Sequence, residues 1–312
     1  MVRQIQWHNK NHVTLSVCIP VYNQDVTGLV HSLLEQIKSI AHGHLVNIII
    51  IDDHSEESFY SLNRVLSKEV TYKYLDKNIG RSKIRNKFLK YSESDYLLFI
   101  DCDSSIIDDK FILSYLNYLE SEKPNVIVGS SVYSNQAPAL SRRLRWKYGS
   151  QRESQSYQER KSNSRTSFKT NNFVISKTCF EQISFNEDLQ GYGHEDTLFG
   201  YELNKKNIQI HHLDNPVLNG QLDTNEEFIK KTEEGLGNLL NVWKILNYDN
   251  DLIKTIRILS YFIKYKNSVW FRSLFWVLKK PTRFFLRIGF SNLYLFDFYK
   301  LGFLIELNAK TK

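Results

Sequence analysis

Glycine and proline are scarce in this sequence, at 13 and 5 among 312 residues. That scarcity excludes a collagen repeat, Pro/Gly-rich linkers and most low-complexity disorder. Cysteine is rarer, with three. An odd and small number argues against a disulfide framework. Cys18 and Cys102 lie in apolar, strand-like runs and read as buried free thiols in a reducing compartment. No Cys/His spacing suits a structural zinc site. Long apolar runs are also missing. Residues 1–12 are polar, so no signal peptide is expected. No stretch reaches the roughly eighteen uncharged apolar residues of a membrane span. The nearest, Ser268–Leu278, is short and contains Arg272. These absences predict a cytoplasmic protein whose membrane contact, if it has one, is peripheral, on the cytoplasmic face of the inner membrane.

What is present is the composition of a core-burying globular chain, 42% hydrophobic and 24% charged. The net charge of +7 is uneven. Ser141–Thr170 carries nine Lys/Arg against two Asp/Glu, and Ile253–Lys312 twelve against two. The remainder is acidic. An acidic body with basic appendages points to anionic partners such as phosphates, nucleic acid or lipid headgroups. No nucleic-acid reading motif accompanies the charge, so nucleic acid is not expected.

Leu15–Ile19, Asn47–Ile51 and Tyr96–Ile100 are nearly continuous in Val, Ile, Leu and Phe, as in parallel strands buried on both faces. Further strands are expected at Thr71–Leu75, Val126–Gly129, Phe173–Ser176 and Ile208–Leu213. Asp25–Ala41 and Arg81–Tyr91 have helical apolar spacing. The alternation predicts an α/β fold, a doubly wound, mostly parallel sheet flanked by helices. Ser141–Thr170 is polar and nearly free of aliphatic residues and reads as a mobile loop. Thr224–Asn247 reads as a helix. Ile253–Phe303 reads as helical or irregular, and fifteen of the forty-two aromatic residues fall in the last sixty.

Ligands of open parallel sheets bind at the carboxyl ends of the strands. Three expected strands run into Pro20-Val21-Tyr22-Asn23, Asp52-Asp53-His54-Ser55 and Asp101-Cys102-Asp103. A lone Asp or Ser there can simply cap a helix, as Ser55 or Asp53 could. Several carboxylates on one rim repel one another unless a cation compensates them. A D-x-D puts two carboxylates within reach of one hard cation, leaving room for water and substrate phosphate. No Gly-rich phosphate loop follows the first strand, so a bound diphosphate would need a metal and Arg/Lys instead. A second cluster, Gly191-Tyr192-Gly193-His194-Glu195-Asp196, opens an amphipathic helix. Acids suit a helix start for dipole reasons alone. As neighbours, however, Glu195 and Asp196 point in different directions, so one can act as a base while the other holds a hydroxyl. His194 reads as a ligand, a base or a polar turn residue.

Taken in order, Val17-Cys18-Ile19-Pro20-Val21-Tyr22-Asn23, Ile51-Asp52-Asp53-His54-Ser55, Asn78-Ile79-Gly80-Arg81-Ser82-Lys83-Ile84-Arg85-Asn86 and Asp101-Cys102-Asp103 resemble the motifs of family-2 glycosyltransferases with the GT-A fold. Gly191–Gly200 resembles the G-[WY]-G-x-E-D segment of their galactosyltransferase and chondroitin-polymerase-like branch. The resemblance covers about residues 13–247. It implies inverting transfer from a nucleotide-diphosphate sugar, typically a UDP-sugar, to a glycan or lipid-linked glycan, as in bacterial polysaccharide or lipopolysaccharide synthesis. It places Pro20, Tyr22, Asn23, Asp53, Asn78, Arg81, Arg85, Asp101 and Cys102 at the nucleotide. It makes Asp103, with Asp101, the ligand of Mn2+ or Mg2+. It makes Asp196 the base, Glu195 the acceptor-orienting acid, and Gly193 and His194 acceptor neighbours. It divides the chain into an extension (1–12), a catalytic domain (13–220, nucleotide-sugar half about 13–130, acceptor half about 131–220) and a helical C-terminal region (221–312).

In one respect the chain departs from the pattern. Related sequences often carry Asn-Pro-x-x-His, whose His can complete the metal site. Here the stretch is Asn215-Pro216-Val217-Leu218-Asn219, and His211 or His212 are possible substitutes. Two other classes remain on the residues alone: an aspartyl phosphotransferase using Asp101-Cys102-Asp103, and a binding module without turnover. The basic segment, with Arg142, Arg143, Arg145, Arg152, Arg160 and Arg165, reads as a solvated loop or as a lid over the donor diphosphate. The aromatic and basic tail, 253–312, reads as a packed helical cap or as an anionic-membrane contact.

Overall fold

The computed structural model describes residues 13–40, 45–162, 168–189 and 191–310. The expected extension 1–12, Ala41 and Arg165 lie outside the described residues. In chain order the first elements are β1 (Thr14–Val21), α1 (Thr27–Ser39), β2 (Leu45–Asp52), α2 (Glu57–Asn63), β3 (Thr71–Tyr74), α3 (Arg81–Lys87), β4 (Tyr96–Ile100), β5 (Ser104–Ile106) and α4 (Phe111–Glu122). They are followed by β6 (Val126–Val128), β7 (Ser131–Val132), α5 (Arg143–Tyr148), α6 (Tyr157–Ser162), β8 (Asn172–Ser176), α7 (Lys177–Gln182), α8 (Glu195–Lys205), β9 (Ile210–His212) and β10 (Val217–Asn219). Five helices close the chain: α9 (Asn225–Ile245), α10 (Asn250–Thr255), α11 (Arg257–Tyr265), α12 (Val269–Arg287) and α13 (Leu293–Lys310).

Seven strands form one sheet in the order β3-β2-β1-β4-β8-β6-β9. β8 runs antiparallel to both its neighbours, and the other pairs are parallel. Alternating side chains of each strand feed two cores, as the period of two requires. Leu15, Val17, Ile19, Ile48, Ile50, Leu98 and Ile100 pack with Leu29, Val30 and Leu33 of α1 and Phe111, Ile112 and Tyr115 of α4. Cys18, Ile49, Ile51, Leu97 and Phe99 pack on the other face with Ile84, Phe180, Phe199 and Leu203. All three cysteines are free. Parallel register between β1 and β2, and between β1 and β4, brings their carboxyl ends to one rim. A smaller sheet, β5-β10-β7, which the sequence did not reveal, sits beside that rim.

Up to residue 162, Ser141–Thr170 is not the loop its composition suggests. It forms α5, a turn of π-helix at Gly149–Glu153, and α6. Leu144 is fully buried, and its amide donates to Asn225 Oδ1 (3.0 Å). Arg160 donates to the Val128 and Leu213 carbonyls, each at 3.0 Å. These carbonyls hold the buried Arg160 guanidinium inside the protein, which a count of aliphatic residues does not register. The Ser55 and Asp53 cap is corrected as well: neither side chain caps α2. Asp52 accepts the Ser55 amide (2.8 Å) instead.

In the C-terminal region α9 begins at Thr224 in a reciprocal capping box with Glu227. Leu236, Leu239, Val242 and Trp243 of α9 pack with Leu259, Phe262, Phe271, Leu301, Leu304 and Ile305. The last helices therefore share one core with α9.

Candidate active site

The three strand ends open into a cleft of about 1670 Å³. Pro20, Tyr22, Asn23, Asp53, Asn78, Arg81, Arg85, Asp101, Cys102, Asp103, Gly193, His194, Glu195 and Asp196 all line it, together with Asn219. Residues far apart in the chain meet here because parallel strands return to the same edge after each crossover.

The turn after β1 is held by the one after β2. Asn23 adopts the left-handed conformation at φ 50°. Its amide donates to Ser55 Oγ (2.8 Å), and its Oδ1 accepts the Glu56 amide (2.8 Å). Asp53 spans to the next turn, accepting the Ile79 and Gly80 amides at 2.7 and 2.9 Å. Burial pushes the Asp53 carboxyl up, and those two amides partly offset the rise. Gly80, at φ 85°, supplies the positive φ that lets both amides face one carboxylate.

Behind that turn, α3 contributes two arginines to one wall. Arg85 is 2% exposed and donates to Asp101 Oδ1 at 2.8 Å, with Glu195 3.9 Å away. Arg81 Nε donates to Glu195 Oε1 at 2.5 Å, and its Nη2 lies 3.9 Å from Asp101. The two acids and two arginines form a compensated network. Burial pushes the Glu195 carboxyl up, but Arg81 and Arg85 outweigh it and leave it below its ordinary range.

Asp103 differs from Asp101. Burial first, then the charge of Asp101, raise its carboxyl to about 6, with Arg81 and Arg145 only partly opposing them. Burial first, then the charges of Asp103 and Asp101, likewise raise the half-buried Cys102 thiol to about 12, so it stays protonated near neutrality. The Asp103 carbonyl accepts the Gly220 amide (3.1 Å), and Asn219 pairs in register with Ser104. Asn219 thus stands beside the D-x-D. Its Nδ2 donates to the Tyr133 hydroxyl (2.9 Å), which donates to Glu153 (2.6 Å). Arg145 binds both of those partners, at 2.8 and 2.7 Å. His211 and His212 do not substitute: His211 bonds the Tyr118 hydroxyl (3.0 Å), His212 contacts Arg160 (3.2 Å), and neither lines the cleft.

The other wall begins at Gly191 and Gly193, both at positive φ. The Tyr192 amide donates to Glu234 of α9 (2.8 Å). A Cβ on Gly191 would meet that Glu234 carboxylate at 2.5 Å. His194 then enters α8 in the left-handed conformation. Burial holds its imidazole below its ordinary pKa. Glu195 turns to the arginine wall, whereas Asp196 faces Lys169 at 3.1 Å. Burial pushes the Asp196 carboxyl up. Lys169 and His194, together with hydrogen bonds from Lys169 and the Thr197 amide, outweigh it and bring it to about 2. Lys169 escaped the sequence reading, as did Tyr133 and Glu153, the partners that hold Arg145 of the basic segment at the cleft. None belongs to a motif, and only folding brings them to the cleft.

Comparison with known proteins agrees with this architecture. The model of glycosyl transferase family 2 matches residues 16–185, more than half of the chain. A poly(ribitol-phosphate) beta-N-acetylglucosaminyltransferase of Staphylococcus aureus, TarP, is 31% identical over 121 residues, 37% of this chain and 36% of that protein. An uncharacterized glycosyltransferase of Haemophilus influenzae is 29% identical over 115 residues, 35% of this chain and 43% of that one. The chain thus spans less than half the length of these curated relatives. Among solved structures, residues 1–349 of S. aureus TarS align with a TM-score of 0.52 at 16% identity, over 96% of this chain and 92% of that one. Glucosyl-3-phosphoglycerate synthase of Mycobacterium tuberculosis, solved with Mn2+, UDP and glucosyl-3-phosphoglycerate, aligns at 0.51 and 14%, over 74% and 80%. At such identities the likeness is one of fold. With the family match running from β1 past α7, the chain belongs to glycosyl transferase family 2 and has the GT-A fold.

Proposed function

We propose that this enzyme transfers a sugar with inversion from a UDP-sugar to a hydroxyl of a glycan or lipid-linked glycan, with Asp196 as general base. The observation that carries the reading is the inequality of the cleft's carboxylates. Asp101 and Glu195 are bound by Arg85 and Arg81. Asp103 and Asp196 stand outside that network, at the strand end and the helix start. The first suits a cation on the leaving diphosphate, the second a proton from the attacking hydroxyl. Solved relatives of the same fold hold UDP or UDP-GlcNAc, which supports a UDP-sugar donor. In this reading residues 13–220 are the catalytic domain and 221–312 a helical region built onto it.

The donor set fits a hard cation. A carboxyl raised to about 6 by burial and a like charge is one that a nearby positive charge would stabilise. Asp103, with Asp101 beside it, offers the oxygen ligands that Mn2+ or Mg2+ takes. Among the described residues no group of three His, Cys, Asp or Glu is poised for a metal; Asp103 and Asp101 are the residues that would hold it. A cation held there would supply positive charge to offset that of the departing diphosphate.

The chain's own residues do the rest. Asp53, Asn78 and the turn after β1 would seat the nucleoside, with Arg81 and Arg85 neutralising the acids at that end of the cleft. Glu195, fixed by Arg81, would orient the acceptor. Asp196 would take the hydroxyl proton at Oδ2, the oxygen that Lys169 now holds. The test is release of UDP from a panel of UDP-sugars with Mn2+ or Mg2+, with thermal-shift binding of UDP plus Mn2+ in parallel. Metal-dependent release from one donor is the expected outcome, and neither binding nor release would overturn the reading. Asn219→His should tighten Mn2+ binding in calorimetry, because it places an imidazole beside Asp103. Unchanged affinity would count against that position's part in the metal site.

A further inference from the structure

The 19 residues of α12 include no acid. One side of the helix is a packed cap: Phe271, Phe275, Thr282 and Leu286 are buried. The other side faces outward and is strongly apolar. Trp270 is 72% and Trp276 83% exposed, and Val277, Phe284, Phe285 and Ile288 are exposed beside them. Exposed large apolar side chains gathered on one face mark a contact site. The inner basic residues are already used, Lys279 by Glu306 and Arg283 by Glu226. The outer ones are not. Among the described residues Arg272 and Lys280 have no carboxylate within ion-pair distance, and Arg287 lies over the Phe284 ring at 5.6 Å.

This combination selects an occupant. Indole rings favour the membrane–water interface. Lys and Arg interleaved with them are drawn to anionic headgroups. A helix of this kind lies in the interface plane with its apolar face a few ångströms deep. No described helix is long and apolar enough to cross a membrane, so contact in the plane is the geometry available to this face. The face is also continuous with the cleft, because Trp270 and the 80% exposed Tyr294 line the cleft as well.

We propose that the outer face of α12 docks the enzyme on an anionic lipid bilayer, with the mouth of the cleft turned toward the headgroups. This goes beyond the transferase reading and does not depend on it, since an enzyme with another donor would dock equally. Removing everything after Asn250 would be a poor test, because it strips α9 of the core it shares with α11–α13. Point variants on the exposed face avoid that. The full chain should cosediment with vesicles of equimolar phosphatidylglycerol and phosphatidylcholine, and far less with phosphatidylcholine alone. Trp270→Ala with Trp276→Ala and Phe284→Ala should reduce the bound fraction at least about tenfold. Arg272→Gln and Lys280→Gln should each weaken binding about fivefold, and less at high salt. Circular dichroism should show the fold of every variant unchanged. Equal binding to both vesicles would overturn the proposal, as would anionic binding that these variants leave intact. No vesicle binding, with a dimer in sedimentation that the Trp variants dissociate, would assign the face to a second copy instead.

Discussion

Replacing Asp196 by Asn is expected to lower kcat for sugar transfer by about 10²–10⁴-fold, the usual contribution of a positioned base, while UDP binding is retained. Asn keeps the size of the side chain and can still accept the Thr197 amide, which Asp196 Oδ1 accepts at 2.7 Å. It cannot take a proton. Initial rates of UDP release at saturating acceptor, beside calorimetric titration of UDP, separate the two effects. A rate within a fewfold of the parent would remove Asp196 from the mechanism. Lys169→Met supplies the companion test. Lys169 is among the groups that hold the Asp196 carboxyl down at about 2, so its loss must raise that pKa. A base works deprotonated, and activity falls as pH drops through its pKa. The acid limb of kcat/KM should therefore move to higher pH in Lys169→Met. A change in rate with an unmoved limb would mean that Lys169 does not act through Asp196.

The largest loss of stability is expected from Arg85→Met. Arg85 is almost fully buried and binds Asp101 at 2.8 Å, with Glu195 close by. Removing one partner of a buried charge network leaves the other charges uncompensated, at a cost of about 3–5 kcal/mol. Met fills similar space beside Phe185, over which the guanidinium lies, so the change tests charge more than volume. Equilibrium unfolding in urea measures it. The half-exposed Lys169–Asp196 pair should contribute no more than about 1 kcal/mol by the same assay. A cost for Arg85→Met below that of Lys169→Met would show that the arginine wall is not held by Arg85. The contrast separates a scaffold charge from the one proposed to react, although both lie in the same cleft.

How legible each part was follows from the range of the forces that set it. Strands β1, β2 and β4 were plain in the sequence because burial on both faces demands unbroken Val, Ile, Leu and Phe. Thr224 was legible as a helix start because a capping box is local. Asp53, Asp101, Asp103, Glu195 and Asp196 could be singled out because each sits in a short motif at the end of an element. Ser141–Thr170 was misread because its helices are held by Leu144, Arg145 and Arg160 against distant partners, and such support has no period. The tail's two readings, cap or surface, could not be separated, because both need aromatic residues. Only packing shows that Phe271 and Phe275 go inward while Trp270 and Trp276 go outward.

The sequence by itself determined the sheet, the strand ends and the identity of the acids on the rim, since hydrophobic periodicity and turn chemistry act over a few residues. It did not determine how those acids divide. Which carboxylates are neutralised by Arg81 and Arg85, and which two stand apart, depends on side chains more than a hundred positions away along the chain, as with Arg81 and Glu195. Coulomb energy depends on distance and burial in three dimensions, so the tertiary structure alone decided which acid faces an arginine, which faces Lys169 and which pairs with neither.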